Sequence, residues 1–173
     1  MRIVYKMANR GIAEKSGICF ALTTRWAMAL ANQVCEVTES ILSVPDIKVT
    51  AMQMVYEDEF IKNGGYGAET AMLNQCGLSY TEITANPDSW GIALKLYGCK
   101  KGGDIFITCM DGSIFSHTIG VTHTEGKFYY FDANLGLIEY EDEEFRAERY
   151  SIIGKYYGKQ KAGLRSCTIY AVV

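Results

Sequence analysis

The sequence contains no run of basic residues and no long apolar segment, and each absence excludes a class of protein. Its 173 residues carry a formal net charge of -3 without clustered lysine or arginine. Nucleic acid is therefore not an expected partner, because phosphates require grouped positive charge. No apolar run approaches the roughly 20 residues of a membrane helix, so we expect no membrane partner. The opening stretch, MRIVYKMANRGIAEKSG, lacks the apolar core of a signal peptide.

Histidine is also scarce, and the pattern of cysteines does not support a metal site. The chain has only two histidines, and none of its six cysteines forms a CxxC pair, which is the spacing typical of structural zinc. The even number of cysteines is compatible with disulfides. Without a secretion signal, and with a chain long enough to bury a core, we expect reduced thiols instead. We expect no metal and no other cofactor.

The sequence does contain a helical first half and a strand-rich second half. The spacing of apolar residues predicts helices over about 17–34, 49–61 and 68–75, and a short fourth helix in NPDSWGIALKLYG. Strands are predicted for DIFITCM, SIFSHTIGVTH, KFYYFD, GLIEY and RSCTIYAVV, and EDEEFRAERYSII is predicted as a helix or a long connection. Since no repeat or linker interrupts the chain, we predict one α+β domain over residues 1–173. Its N-terminal helices pack on a C-terminal antiparallel sheet.

Cys19 stands at the start of the first predicted helix, in the stretch SGICFALTTRW. A helix N-terminus has unpaired backbone N–H groups and the positive end of the helix dipole, and both favour an anion. A thiol in that position forms a thiolate more readily, and the thiolate is the nucleophilic form. The other interpretation is a small buried hydrophobe, as most free cysteines are. The helix alone leaves both interpretations open.

A nucleophilic cysteine needs a base, and only His117 and His123 can serve. The stretch FSHTIGVTHTEGKFYYFDANLG predicts a hairpin with its turn at TEGK. If His123 faces Phe128, His117 faces Asn134 and has Asp132 as a diagonal neighbour on the same face. His123 then lies beside the turn, about 20 Å from His117 at ~3.3 Å per residue. We therefore predict His117 as the base and Asp132 as its orienting partner, with Asn134 as the rival.

The order Cys19, His117, Asp132 resembles the triad of papain-like cysteine proteases, and most of all the YopT/AvrPphB type of bacterial effector protease. SGICFALTTRWA is similar to the nucleophile segment of that family, HTIGV to its histidine strand, and YYFDANLG to its orienting-acid segment. The resemblance implies a papain-like fold. It also implies that Cys19 is the nucleophile, His117 the acid and base, and Asp132 the residue that fixes the imidazole.

A fourth stretch, NGGYGAETAMLNQCGL, resembles the papain segment in which paired glycines precede a short helix. By that resemblance Gly64 and Gly65 pair with the substrate main chain, where a side chain would prevent close approach. Tyr66 then flanks the cleft. A plain loop that ends the preceding helix is the alternative interpretation.

The chain departs from the family pattern upstream of the nucleophile. The family usually has Gln or Asn five or six residues before the cysteine, where the side-chain amide helps to hold the oxyanion. Here Ala13 and Glu14 occupy those positions, and neither can donate in that way. The backbone N–H of Cys19 remains as a donor. Asn9, the nearest upstream amide, is the predicted substitute.

The resemblance implies a cysteine endopeptidase that acts as an effector or toxin, and one expectation is that it is the C-terminal toxin domain of a larger secreted protein. Such a protein would be secreted without a signal peptide and would act in the cytoplasm of a recipient cell, in our expectation a bacterial one. The expected partners are a protein substrate and a cognate immunity protein, and the chain is expected to be a monomer. A deamidase, transglutaminase or acyltransferase with the same triad is the alternative, because the triad does not determine the second nucleophile. A binding module with a core cysteine is the non-enzymatic alternative.

Overall fold

The computed structural model describes residues 1–6, 19–32, 37, 46–63, 67–85, 104–112, 116–148 and 164–173. Within these ranges the helices are α1 (Cys19–Ala31), α2 (Asp46–Lys62), α3 (Ala68–Gln75) and α4 (Asp142–Glu148). The strands are β1 (Arg2–Lys6), β2 (Tyr80–Ala85), β3 (Asp104–Gly112), β4 (Ser116–Thr124), β5 (Lys127–Asp132), β6 (Gly136–Glu141) and β7 (Leu164–Val172). None of the helices in these ranges is long and apolar enough to cross a bilayer.

All seven strands form one antiparallel sheet in the order β1-β6-β5-β4-β3-β7-β2. The predicted α+β class, with N-terminal helices against a C-terminal sheet, is confirmed for the five central strands. The two edge strands come from the first half of the chain and were not predicted. Strand β1 pairs with β6, and β2 pairs with β7. The sheet is therefore completed at both edges by segments that are distant in the sequence.

The helix predictions agree with the observed helices to within a few residues. Helix α3 has the predicted bounds, while α1 and α2 differ from prediction by up to three residues at each end. The acidic start of EDEEFRAERYSII forms α4, where three carboxylates in the first turn suit the positive end of the helix dipole. The predicted short helix in NPDSWGIALKLYG lies outside the described residues.

The β4–β5 hairpin turns at Glu125 and Gly126, which both have positive φ angles, 53° and 75°. A two-residue turn of this kind matches the twist of the two strands that it joins. The ladder pairs His123 with Phe128 and, at its far end, Ile119 with Asp132, so the predicted register is confirmed. Because β5 ends at Asp132, the ladder does not extend to the predicted pair of His117 with Asn134. That pairing is wrong.

Helix α1 packs against β3, β4 and β5. Two contacts fix its position along β4. Trp26 stacks on Phe131 with ring centroids 5.4 Å apart, and Thr23 Oγ1 donates to the carbonyl oxygen of Thr118 at 3.3 Å. The same indole covers Gly120, where an added Cβ would lie 2.4 Å from the ring. Cys19, at the start of α1, lies about 10 Å before Trp26 along the helix axis at the helical rise. His117 lies three residues before Gly120 along β4, which is also about 10 Å. Helix α1 therefore begins at the end of the sheet where β4 begins.

Candidate active site

Three predicted side chains come together where α1 and β4 begin and β5 ends. Cys19 is the first residue of α1 and is half-buried, His117 is the second residue of β4, and Asp132 is the last of β5. His117 is 4% exposed and Asp132 is fully buried. His117 Nε2 lies 3.1 Å from Asp132 Oδ1, as expected for diagonal neighbours in the confirmed hairpin register.

The side chain of Cys19 lies close enough to His117 to raise the pKa of the imidazole. Nε2 of the ring is bonded to Asp132, and Nδ1 is the other ring nitrogen that can exchange a proton. The ring is thus held between an acid and a thiol. This order of groups is the one that a cysteine nucleophile with an oriented base requires.

The electrostatic environment of His117 favours its protonated form. Burial lowers the pKa of the imidazole, but the hydrogen bonds to Asp132 and Cys19, together with their negative charges, outweigh burial and raise the pKa to about 9. His117 is therefore protonated at neutral pH and can donate a proton. A cation at this position also stabilises a thiolate beside it.

The carboxylate of Asp132 is fixed by further donors. Tyr130 donates its hydroxyl to Oδ2 at 3.2 Å, and the backbone N–H of Asn134 donates to Oδ1 at 2.7 Å. Hydrogen bonds of this kind favour the ionised form of a buried carboxylate and restrict its orientation. Sequence reasoning missed Tyr130, although its position two residues before Asp132 places both side chains on one face of β5.

Asn134 contributes its backbone to the site, and its side chain is exposed. It lies in the turn after β5, which closes with a hydrogen bond from the Leu135 N–H to the Asp132 carbonyl at 3.1 Å. His117 therefore meets the side chain of Asp132. The rival assignment of Asn134 as the orienting residue depended on a strand pair that does not form.

His123 lies at the opposite end of β4 from His117. Its ring stacks on Phe128 with centroids 4.3 Å apart, and within the described part of the chain neither ring nitrogen has a hydrogen-bond partner. The position beside the turn is the one predicted from the hairpin. His123 is thus part of the packing beside the turn of the β4–β5 hairpin.

The remaining cysteines that the structure describes differ from Cys19 in their surroundings. Cys76, Cys109 and Cys167 are free thiols, and burial raises the pKa of each, to about 12 for Cys167. Cys35 and Cys99 lie outside the described residues. Among the described residues no group of three or more His, Cys, Asp or Glu side chains could hold a metal ion.

Four predicted site residues cannot be located. Asn9, proposed for the oxyanion, and the cleft residues Gly64, Gly65 and Tyr66 lie outside the described residues. The helix that follows the glycine pair is described. Helix α3 starts directly after Gly67, whose φ angle of 76° is in the left-handed region that favours glycine.

The fold and the arrangement of Cys19, His117 and Asp132 define a class: the chain has the papain-like cysteine protease fold. No protein-family model matches the chain, and no curated protein matches it either. Solved structures do match. The chain is similar to the Pseudomonas avirulence protein AvrPphB, with a TM-score of 0.69 and 15% identity over 90% of this chain and 91% of that one.

Two further solved structures share the fold. One is the ubiquitin-specific protease encoded by the murine cytomegalovirus tegument protein M48, with a TM-score of 0.55 and 12% identity over 99% of this chain and 85% of that one. The other is PatoxP, a cysteine protease-like domain of the Photorhabdus asymbiotica toxin PaTox. It has a TM-score of 0.52 and 14% identity over 99% of this chain and 53% of that one. At these identities the likeness shows the fold alone.

Proposed function

We propose that the chain is a cysteine endopeptidase in which Cys19 is the nucleophile, His117 the general acid and base, and Asp132 the residue that orients the imidazole. The observation that carries the proposal is that His117 is hydrogen bonded to the buried Asp132 and lies close enough to Cys19, at the start of α1, for the thiol to raise the pKa of the imidazole. A structural histidine needs neither a thiol partner at a helix start nor a pKa raised to about 9. Both features serve acyl transfer to sulfur.

In the proposed reaction the thiolate of Cys19 attacks the carbonyl carbon of a peptide bond and forms a tetrahedral oxyanion. Protonated His117 then gives its proton to the leaving amine, and the C–N bond breaks to leave a thioester on Cys19. The neutral imidazole next takes a proton from water, which attacks the thioester and releases the new carboxyl end. Asp132 keeps Nε2 of the ring occupied throughout, so that Nδ1 faces the reacting atoms.

Oxyanion stabilisation in this proposal begins with the backbone N–H of Cys19. As the first residue of α1, Cys19 has an N–H without an intrahelical acceptor. We propose Asn9 as the second donor, and Gly64, Gly65 and Tyr66 as the residues that meet the substrate main chain. Loss of one such donor costs about 10²–10³ in kcat in acyl-transfer enzymes, so Asn9→Ala tests that assignment.

We further propose that the chain acts as an effector or toxin on a protein inside a recipient cell, with residues 1–173 as one catalytic domain. The similar structures include an avirulence protein and a toxin domain, and this likeness motivates the proposal. We also propose a bacterial recipient, secretion that does not use a signal peptide, and an immunity protein that blocks the cleft in the producing cell. We propose a monomer that acts without nucleic acid, membrane or cofactor.

The test is to map new protein N-termini in a bacterial lysate after incubation with the chain. Wild type should create termini that are absent with Cys19→Ala and with His117→Ala. His123→Ala is the matched control, because it removes the same side chain from the same strand and should leave most of the activity. New termini that persist with Cys19→Ala would contradict the proposal. Intact proteins with changed mass, dependent on Cys19, would instead support the deamidase, transglutaminase or acyltransferase alternative.

A further inference from the structure

The first turn of α1 has a partner on a neighbouring helix. Backbone N–H groups in the first turn of a helix have no intrahelical acceptor, and the first turn of α1 contains no acidic side chain. The N–H of Ala21, the third residue of α1, nevertheless donates to Gln53 Oε1 at 3.3 Å. Gln53 belongs to α2 and is 6% exposed. The N–H of Ala21, near the N-terminus of the helix that carries the proposed nucleophile, thus has its hydrogen-bond acceptor on α2.

The amide of Gln53 is held in a defined orientation. Its Nε2 donates to Glu57 Oε1 at 3.2 Å, one turn further along α2, so its oxygen is directed to Ala21. A second contact fixes the same turn, because Phe20 stacks on Tyr56 of α2 with ring centroids 4.5 Å apart. Helix α2 therefore contacts both residues that directly follow Cys19.

We propose that Gln53 is a positioning residue for the nucleophile: its uncharged amide oxygen anchors the first turn of α1 and so holds Cys19 against His117. This inference rests on the proposed function. Gln53 does not contact the reacting atoms and acts through Ala21. Its effect should therefore appear in the reactivity of the Cys19 thiol.

The side chain at position 53 is uncharged, and this matters for the thiolate of Cys19. Carboxylates are common and stabilising partners for the first N–H groups of a helix. At this position, however, a carboxylate would add negative charge two residues from Cys19 and oppose its thiolate. An amide supplies the acceptor and leaves the positive end of the helix dipole available to the sulfur. The carboxylate of Glu57 lies one turn further along α2, beyond the amide.

Most titratable groups near Cys19 are not touched by substitution of Gln53, but Glu57 is, because its carboxylate accepts a hydrogen bond from the Gln53 amide. Within the described residues, these groups on the surrounding elements are His117 on β4, Asp132 on β5, Cys109 and Asp111 on β3, Tyr56 and Glu57 on α2, and Glu69 on α3.

The experiment measures iodoacetamide alkylation of Cys19 in the full chain across pH 5–9, by peptide mapping. Gln53→Met removes the acceptor at similar size and should slow alkylation about tenfold at every pH, because the Cys19–His117 contact loosens. Gln53→Glu combined with Glu57→Gln keeps the acceptor and avoids two adjacent carboxylates, and it should slow alkylation about tenfold at pH 6 because the added charge at position 53 opposes the thiolate. Gln75→Glu, the same substitution at an exposed position on α3, should alkylate like wild type.

The outcomes separate this inference from the proposed function. If wild-type Cys19 alkylates no faster than half-buried Cys76, the proposed function and the role of Gln53 are both overturned. If wild-type Cys19 is fast, and both Gln53→Met and the double variant Gln53→Glu with Glu57→Gln match it at every pH, only the role of Gln53 is overturned. Should Gln53→Met fail to fold, the double variant Gln53→Glu with Glu57→Gln keeps net charge and hydrogen-bonding capacity. It should still lose rate at pH 6, and a wild-type profile would overturn the proposal.

Discussion

At the scale of a single residue, the buried imidazole of His117 lies between Asp132 and Cys19, which both raise its pKa. Its protonation should therefore contribute a measurable part of the stability of the fold. In the folded chain its pKa is raised from the ordinary 6.5 to about 9: burial opposes the rise, and hydrogen bonds to Asp132 and Cys19 cause it. The folded state therefore binds this proton more tightly than the unfolded chain does. The resulting stabilisation is complete below about pH 6.5 and is lost as the pH rises through 9.

We therefore predict that the free energy of unfolding of wild type falls between pH 6.5 and 9.5. The contribution of His117 is on the order of 3 kcal/mol, at about 1.4 kcal/mol for each tenfold change in proton affinity. Urea denaturation at several pH values measures it. His117→Ala should lack this part of the pH dependence, whereas His123→Ala should retain it. An equal fall in wild type and His117→Ala would show that the proton is bound elsewhere.

A second prediction at this scale concerns the acid. Asp132→Ala should reduce kcat/KM far more than Asn134→Ala, because the Asn134 side chain is exposed and only its backbone reaches the carboxylate. Asp132→Asn should be weakened by less than the ~10⁴-fold loss that this change causes in a Ser-His-Asp triad, since an amide oxygen can also accept the imidazole N–H. Peptidase assays of the three variants side by side provide the measurement. An inactive Asn134→Ala beside a nearly normal Asp132→Ala would transfer the orienting role to Asn134.

At the scale of elements, the distance between α1 and β4 is determined by Trp26 lying on Gly120. A methyl group at position 120 would sit 2.4 Å from Cζ3 and 2.7 Å from Cε3 of the buried indole. Real Cβ contacts are not that short, so the helix or the strand must move. Because Cys19 and His117 lie on these two elements, the same movement would separate them.

We predict that Gly120→Ala lowers the free energy of unfolding by about 1–3 kcal/mol, the usual cost of overpacking, and slows alkylation of Cys19. Thermal and urea denaturation measure the first effect, and peptide mapping measures the second. Adding Trp26→Leu to Gly120→Ala should cost less than the sum of the two single changes, because the smaller side chain relieves the clash. Strict additivity of the two substitutions would refute the contact.

At the scale of the whole molecule, the sheet buries apolar side chains on both faces. One cluster joins α1 to the sheet through residues such as Phe20, Trp26 and Phe131. The other includes Ile119, Tyr130 and Phe145. Strands β3 and β5 contribute to both clusters because their side chains alternate between the faces. The two clusters are thus coupled through shared strands.

This coupling predicts one cooperative unfolding transition, as expected if residues 1–173 form one domain. Far-ultraviolet circular dichroism follows the sheet and helices, and fluorescence follows the two tryptophans, Trp26 and Trp90, so the thermal midpoints of the two signals should coincide. Cys19→Ser should leave that midpoint nearly unchanged, because the substitution is small and Cys19 is only half-buried. Two separate transitions would contradict the one-domain proposal.

Several parts of the fold and site follow from the sequence because they depend on local rules. The hairpin register is specified by the turn residues Glu125 and Gly126, and side-chain direction alternates along β4 and β5. Together they bring Asp132 diagonally beside His117. Helical periodicity predicts α1 to within three residues at each end and places Cys19 in its first turn. These features involve neighbours in the chain, and turn chemistry and side-chain period decide them before any core forms.

Other features were decided only by tertiary structure. Strands β1 and β2 join the sheet through partners at the other end of the chain, and neither short segment carries a local signal for its pairing. The end of β5 at Asp132 removed Asn134 from the ladder. The bond from Ala21 to Gln53 joins two helices that meet only through core packing. Periodicity states which face of an element is buried, whereas the position of one element along another depends on side-chain volumes and close contacts such as Trp26 on Gly120.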